Sequence, residues 1–94
     1  MYSIKSLSFN DVGLMRSLLN LFGEVFDEPD TYCDKQPDNT YLQELLGKDH
    51  FFAVVACDGD EVVGGLTAYE FQKFEQERSE IYIYDLAVHA EYRR

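Results

Sequence analysis

The stretch SEIYIYDLAVHAEYRR, residues 79–94, decides how this chain is read. By strict alternation Ile81, Ile83, Asp85 and Ala87 share one face of a strand, and Tyr82, Tyr84, Leu86 and Val88 share the other. Both faces are apolar or aromatic. The pattern predicts a central strand over 80–88, covered on both sides, with an acid in its middle. Burial disfavours a charged carboxylate, and a neighbouring cation restores it. Asp85 therefore fits two roles. It satisfies loose backbone N–H groups where the strand ends or bulges, or it holds a cationic amine and takes a proton from it. Tyr82 and Tyr84 read first as core or rim aromatics, and Glu80 as a solvated acid where the strand emerges.

Upstream, YSIKSL predicts a first strand at about residues 2–7. Asn10 or Asp11 can cap a helix whose apolar face is Val12, Met15, Leu18, Leu19, Phe22, Val25 and Phe26. Gly13 and Gly23 weaken that helix, and Pro29 ends it. EPDTYCDKQPD reads as an acidic loop. Asp38 or Asn39 then caps a second helix carrying Tyr41, Leu42, Leu45 and Leu46, with Gly47 placed to stop it. FFAVVAC is a continuous apolar strand, Asp58–Gly59 a hairpin signal, and VVGGLTAYEF the returning strand. Gly64–Gly65 inside that strand marks a bulge or a close backbone approach. QKFEQER is a polar connection to the last strand. The order is β-α-α-β-β-β, an α/β (α+β) arrangement with an antiparallel meander packed by two helices.

Composition narrows the function. The chain has 94 residues, net charge −10 and pI near 4.4, which allows one small domain and argues against nucleic acid or an anionic membrane as partner. A cationic ligand suits it. Glu24, Asp27, Glu28, Asp30, Asp34 and Asp38 crowd one segment, and Glu75, Glu77, Glu80 and Asp85 form a second group. No run has the length of a transmembrane span or a signal-peptide core, so a cytoplasmic protein is expected. Cys33 and Cys57 have no redox or metal spacing, and His50 and His89 no zinc pattern, so no metal is expected.

The element order, followed by LAVHAEYRR, resembles the first half of the GNAT superfamily of N-acetyltransferases. Arg93 matches the first position of that superfamily's pyrophosphate loop, Arg/Gln-x-x-Gly-x-Gly/Ala. NLFGEVFDEPDTY, QPDNTYL, FEQERSEIYIYDLAV and EYRR together resemble the type I aminoglycoside 3-N-acetyltransferases. That resemblance implies transfer of acetyl from acetyl-CoA to an amine of a cationic aminoglycoside antibiotic, a resistance activity.

It also implies roles. Asp85 positions the acceptor amine and removes its proton, with Tyr84 beside it as a second catalytic candidate. The backbone of Leu86, Ala87 and Val88 lines the acetyl-pantetheine arm, and Arg93 and Arg94 stand at the cofactor's phosphates. Glu80, Asp30 and Tyr32 are candidates for holding the drug. Transfer is direct, so neither cysteine is needed as nucleophile. Residues 1–94 read as a single incomplete acetyltransferase domain, the N-terminal half to two-thirds, without the glycine loop and helix that would cradle pyrophosphate. The last strand is then an apolar edge, so a homodimer or completion by a C-terminal segment is expected. Two alternatives stand beside this reading: a GNAT enzyme for a polyamine or protein amine, and a non-catalytic interaction module.

Overall fold

The structure, a computed structural model, describes residues 2–93. Strand β1 (Tyr2–Ser6) leads into helix α1 (Val12–Val25), the short α2 (Pro29–Tyr32) and α3 (Asn39–Leu46). Strands β2 (Phe51–Asp58), β3 (Glu61–Gln72) and β4 (Ser79–Val88) follow, and a 3-10 turn covers Ala90–Tyr92. The sheet is ordered β1-β2-β3-β4 with every neighbour antiparallel, the expected meander. No helix among the described residues is long and apolar enough to cross a membrane.

The helices cover one face. Phe51, Ala53, Val55 and Cys57 point into it from β2 and are buried, as are Met15, Leu18, Leu21 and Phe22 of α1 and Leu42 and Leu46 of α3. Leu21 joins the core although it lies outside the helix face read from periodicity. Gly65 explains how closely α1 approaches. A Cβ built there would sit 2.5 Å from Leu18 Cδ1 and 2.7 Å from the Val54 carbonyl oxygen, so the helix rests directly on the backbone of β3. Gly65 therefore serves close approach, while the bulge falls beside Gly64. The register runs Ala56↔Gly64 and Cys57↔Val62, leaving Val63 as the extra residue. At the hairpin tip Gly59 has φ 61, which suits the left-handed conformation of a tight turn.

Helix ends differ in part from expectation. Asp38 caps α3 as expected, accepting from the Tyr41 N–H at 2.9 Å. Asp11 occupies the N-cap position of α1, but its carboxylate turns back, accepting from Ser8 N–H at 2.8 Å and pairing with Lys5 Nζ at 3.1 Å. α1 stops before Pro29. Asp27 takes φ 55, Glu28 N–H donates to Gly23 O at 2.9 Å and Asp27 N–H to Glu24 O at 3.3 Å, the bonds of a Schellman ending. Gly47 ends α3 without a left-handed turn, at φ −84. The acidic loop is not all loop. Pro29 sits in the first turn of α2, where its missing N–H costs nothing, giving three α-helices rather than two.

β4 departs most from the sequence reading. Among the described residues it is an edge strand, as is β1, and Ile81, Tyr82, Ile83, Tyr84 and Leu86 are exposed. Strict alternation fails because Thr67 pairs with Asp85 while Ala68 pairs with Ile83, leaving Tyr84 as a bulge. Asp85 and Ala87 consequently face the helices together with Tyr82, and Ile81 and Ile83 move to the opposite face with Leu86 and Val88. That second face, which also carries Ile4, has no helix over it among the described residues.

Candidate active site

The Tyr84 bulge aims Asp85 under the helices, where a cavity of about 170 Å³ opens. Met15, Leu19 and Phe22 of α1 and Leu42 and Leu45 of α3 form its apolar wall. Phe51, Thr67 and Tyr69 supply the sheet side, and Tyr32, Tyr41, Tyr84 and Asp85 the rest. Among the described residues Asp85 is the one carboxylate lining it. Tyr69 packs edge-on against Tyr84, ring centroids 5.8 Å apart, and tilted against Phe51 at 5.2 Å. Burial, then the nearby phenols of Tyr41 and Tyr84 and the charge of Asp85, push the Tyr69 phenol up from its ordinary value. It stays protonated near neutrality and remains a donor.

Asp85 has a partner that no local pattern shows. Tyr32, at the end of α2, donates its O–H to Asp85 Oδ2 at 3.2 Å. Burial first, then the Asp85 charge and this hydrogen bond, then Glu28 and Tyr84, push the Tyr32 phenol up. The structure thus brings together Asp85, Tyr84 and Tyr32 from the sequence-based candidates. It adds Thr67, Tyr69, Tyr41 and Phe51, whose only sequence signal was an aromatic or small polar residue on a strand or short helix.

Other candidates lie apart from the cavity. Asp30 is exposed on α2, and hydrogen bonding to it pushes the Asp34 carboxyl up. Glu80, at the start of β4, lies 2.6 Å from Arg78 and 3.7 Å from Lys73. Lys73 is also 3.8 Å from Glu75, so this acidic group is interleaved with cations of its own chain. It borders a broad open groove of about 1190 Å³ at the tip of the β3–β4 hairpin.

The end of β4 offers backbone. His89 N–H donates to Val63 O at 2.7 Å, which fixes the alternation of the edge. Ala87 therefore bonds inward to β3, while the N–H and C=O groups of Leu86 and Val88 point outward. Arg93 Nε donates to the outward Val88 carbonyl at 2.9 Å. Arg94 lies outside the described residues. His89 Nε2 is 3.1 Å from Glu24 Oε2, tying the strand end to α1. No cluster of three or more His, Cys, Asp or Glu among the described residues has the arrangement to hold a metal ion.

These features meet a direct comparison. The profile of the acetyltransferase (GNAT) family matches residues 15–94. The chain belongs to the GNAT acetyltransferase family. An aminoglycoside acetyltransferase from an uncultured soil metagenomic sample is 51% identical with TM-score 0.97, over 100% of this chain and 62% of that one. A second aminoglycoside acetyltransferase from an uncultured soil metagenomic sample, solved with sisomicin, is 35% identical with TM-score 0.87 over 99% of this chain and 59% of its own. A predicted acetyltransferase from Clostridium acetobutylicum solved with acetyl-CoA, 12% identical with TM-score 0.67, shares the fold across 99% of this chain and 63% of its own. No curated protein matches the chain. This GNAT chain spans under two-thirds of the length of each of these three structures.

Proposed function

We propose that this GNAT chain carries the acceptor side of an aminoglycoside 3-N-acetyltransferase, which acetylates an amine of a cationic antibiotic and so inactivates it. The observation that carries the reading is Asp85. It is a single carboxylate at a bulge in β4, facing an aromatic cavity and one residue from an outward-facing backbone edge. The aminoglycoside acetyltransferases at 51% and 35% identity support the drug class.

An ammonium cannot attack a carbonyl; a neutral amine can. Asp85 is assigned to hold the acceptor amine by hydrogen bonding and to accept its proton. Tyr84, beside it and lining the same cavity, is assigned to the rim of the acceptor position. The protonated phenol of Tyr69 offers a donor to sugar hydroxyls, Tyr32 Oη, its proton given to Asp85, offers only an acceptor, and the rings present flat apolar faces. Asp30 and Glu80 lie outside the cavity and are assigned to the outer approach, where an acidic surface attracts a polycation over a screening length of about 8–10 Å. The net charge of −10 has the sign this requires.

GNAT acetyltransferases use acetyl-CoA, which supplies an activated acetyl thioester. The outward groups of Leu86 and the outward N–H of Val88 fit amide-to-strand pairing with its pantetheine arm, the Val88 carbonyl being held by Arg93 Nε, and an N–H there is suited to polarise the thioester carbonyl. Ala87, bonded inward, sets the spacing between them. Arg93, and with it Arg94, is assigned to the phosphate end. A homodimer or a segment completing the β4 edge is part of the proposal.

The test is acetylation by the full-length protein, with acetyl-CoA and gentamicin, spermidine or a lysine peptide as acceptor. CoA release with gentamicin at least tenfold faster in kcat/KM than with the others is expected. Preference for spermidine or the peptide would assign a different amine. No transfer to any of the three, with no binding of acetyl-CoA, would leave the chain as an interaction module.

A further inference from the structure

Asp85 reaches into the cavity from an edge strand, so its carboxylate needs something to set its angle. The terminal torsion of an aspartate side chain is broad and gives little direction by itself. Tyr32 Oη donates to Oδ2 at 3.2 Å, across 53 positions of sequence. The Tyr32 ring is held edge-on by Phe22, centroids 5.7 Å apart, and tilted against Phe26 at 5.8 Å.

The backbone of Tyr32 is pinned as well. Gln36 Nε2 donates to the Tyr32 carbonyl at 3.0 Å and to Asn20 Oδ1 at 2.9 Å. Gln36 Oε1 in turn accepts from Arg16 Nη1 at 2.9 Å. The same guanidinium donates to Pro37 O at 3.0 Å and Asn39 Oδ1 at 2.6 Å. A chain of polar contacts thus runs from α1 through Gln36 to Tyr32 and ends on the carboxylate.

We propose that Tyr32 is the positioning residue for Asp85, held there by the Arg16–Gln36 relay, so that Oδ2 is occupied and Oδ1 is presented to the acceptor amine. This rests on the assignment of Asp85 as the acceptor-side base. It gives Tyr32 a task different from gripping the drug, and it gives Arg16 and Gln36, both outside the cavity, a bearing on catalysis.

The groups that face this pair are few. Asp85 meets Tyr32 of α2, Tyr69 of β3 and its neighbour Tyr84, and Glu28 adds its charge at Tyr32. Tyr41 of α3 acts on Tyr69, while α1 and β2 bring only Met15, Leu19, Phe22 and Phe51 to the cavity. Asp85 raises the Tyr32 phenol by its charge and by the hydrogen bond, second only to burial.

Two measurements on the full-length protein test the proposal. The first needs no activity: NMR titration of the Tyr32 ring carbon in wild type and Asp85→Asn. The Tyr32 midpoint is expected to fall in the variant without reaching the ordinary tyrosine value, because burial persists. An unchanged midpoint overturns the contact. The second is kinetic. Tyr32→Phe should lower kcat about 10-fold, the worth of one hydrogen bond to a charged group, with KM for gentamicin changed less than about twofold. Gln36→Ala, which leaves the phenol in place but frees its backbone, should lower kcat in the same direction by a smaller factor. A raised KM with kcat unchanged in Tyr32→Phe makes Tyr32 a drug contact and overturns the positioning role. If wild type acetylates none of the three amines, the proposed function fails, and the titration alone still decides whether Tyr32 sits on Asp85.

Discussion

Gly65 offers a quantitative test of how α1 is seated over the site. Replacing it with alanine places a methyl 2.5 Å from Leu18 Cδ1 and 2.7 Å from the Val54 carbonyl oxygen. Leu18 is fully buried at 0% exposure, so it cannot swing into solvent, and Val54 O belongs to the backbone of a paired strand. Neither neighbour yields cheaply. Overpacking of this kind costs about 1–3 kcal/mol, and a backbone obstacle places Gly65→Ala in the upper half of that range. Gly13→Ala is the internal control. Nothing lies within 4 Å of a Cβ there, so the change should stabilise by up to about 1 kcal/mol through helix propensity. Urea denaturation of the full-length protein followed by circular dichroism reads both. Opposite signs are predicted for the two glycines. Gly65→Ala within about 0.5 kcal/mol of wild type, the range of an ordinary surface change, would refute the close seating of α1 on β3.

Two further substitutions test the helix ends. Asp27→Gly should raise stability by about 0.5–1 kcal/mol in the same denaturation assay, because φ 55 suits glycine better than aspartate. Asp11→Asn probes acid sensitivity. The Ser8 backbone N–H foremost, with Lys5 and the Ser8 hydroxyl, holds the Asp11 carboxyl below its ordinary value of 3.8. A depressed folded-state value contributes stability above pH 3.8 that is lost as pH falls through the folded value. Asp11→Asn should therefore be less stable than wild type near neutrality, with the gap closing below pH 3.8 in a pH series of urea midpoints.

The parts of this fold that were legible in sequence are those set by neighbours in the chain. The Asp58–Gly59 signal gives the hairpin, the Asp38 cap gives the start of α3, and the continuous apolar run FFAVVAC gives strand β2, though not which of its faces is the more buried. What escaped depends on tertiary partners. The Tyr84 bulge exists only against β3, and it reverses the face of every residue before it, so Ile81 and Ile83 are exposed rather than beside Asp85. The four-residue α2 is too short to announce itself by periodicity and is ordered by Gln36 and by the rings of Phe22 and Phe26. Asp85 stood out as an acid in an apolar strand. Its cavity did not, because the walls come from α1, α2, α3, β2 and β3, and no local spacing encodes their convergence.

The most direct test of the account is Asp85→Asn in the full-length protein, assayed by CoA release with acetyl-CoA and gentamicin. Asparagine keeps the shape and hydrogen-bonding reach of the side chain and removes its ability to take a proton. A fall in kcat on the order of 10²-fold or more is expected. A change under about threefold in a folded variant would contradict it and return Asp85 to a structural role at the β4 bulge.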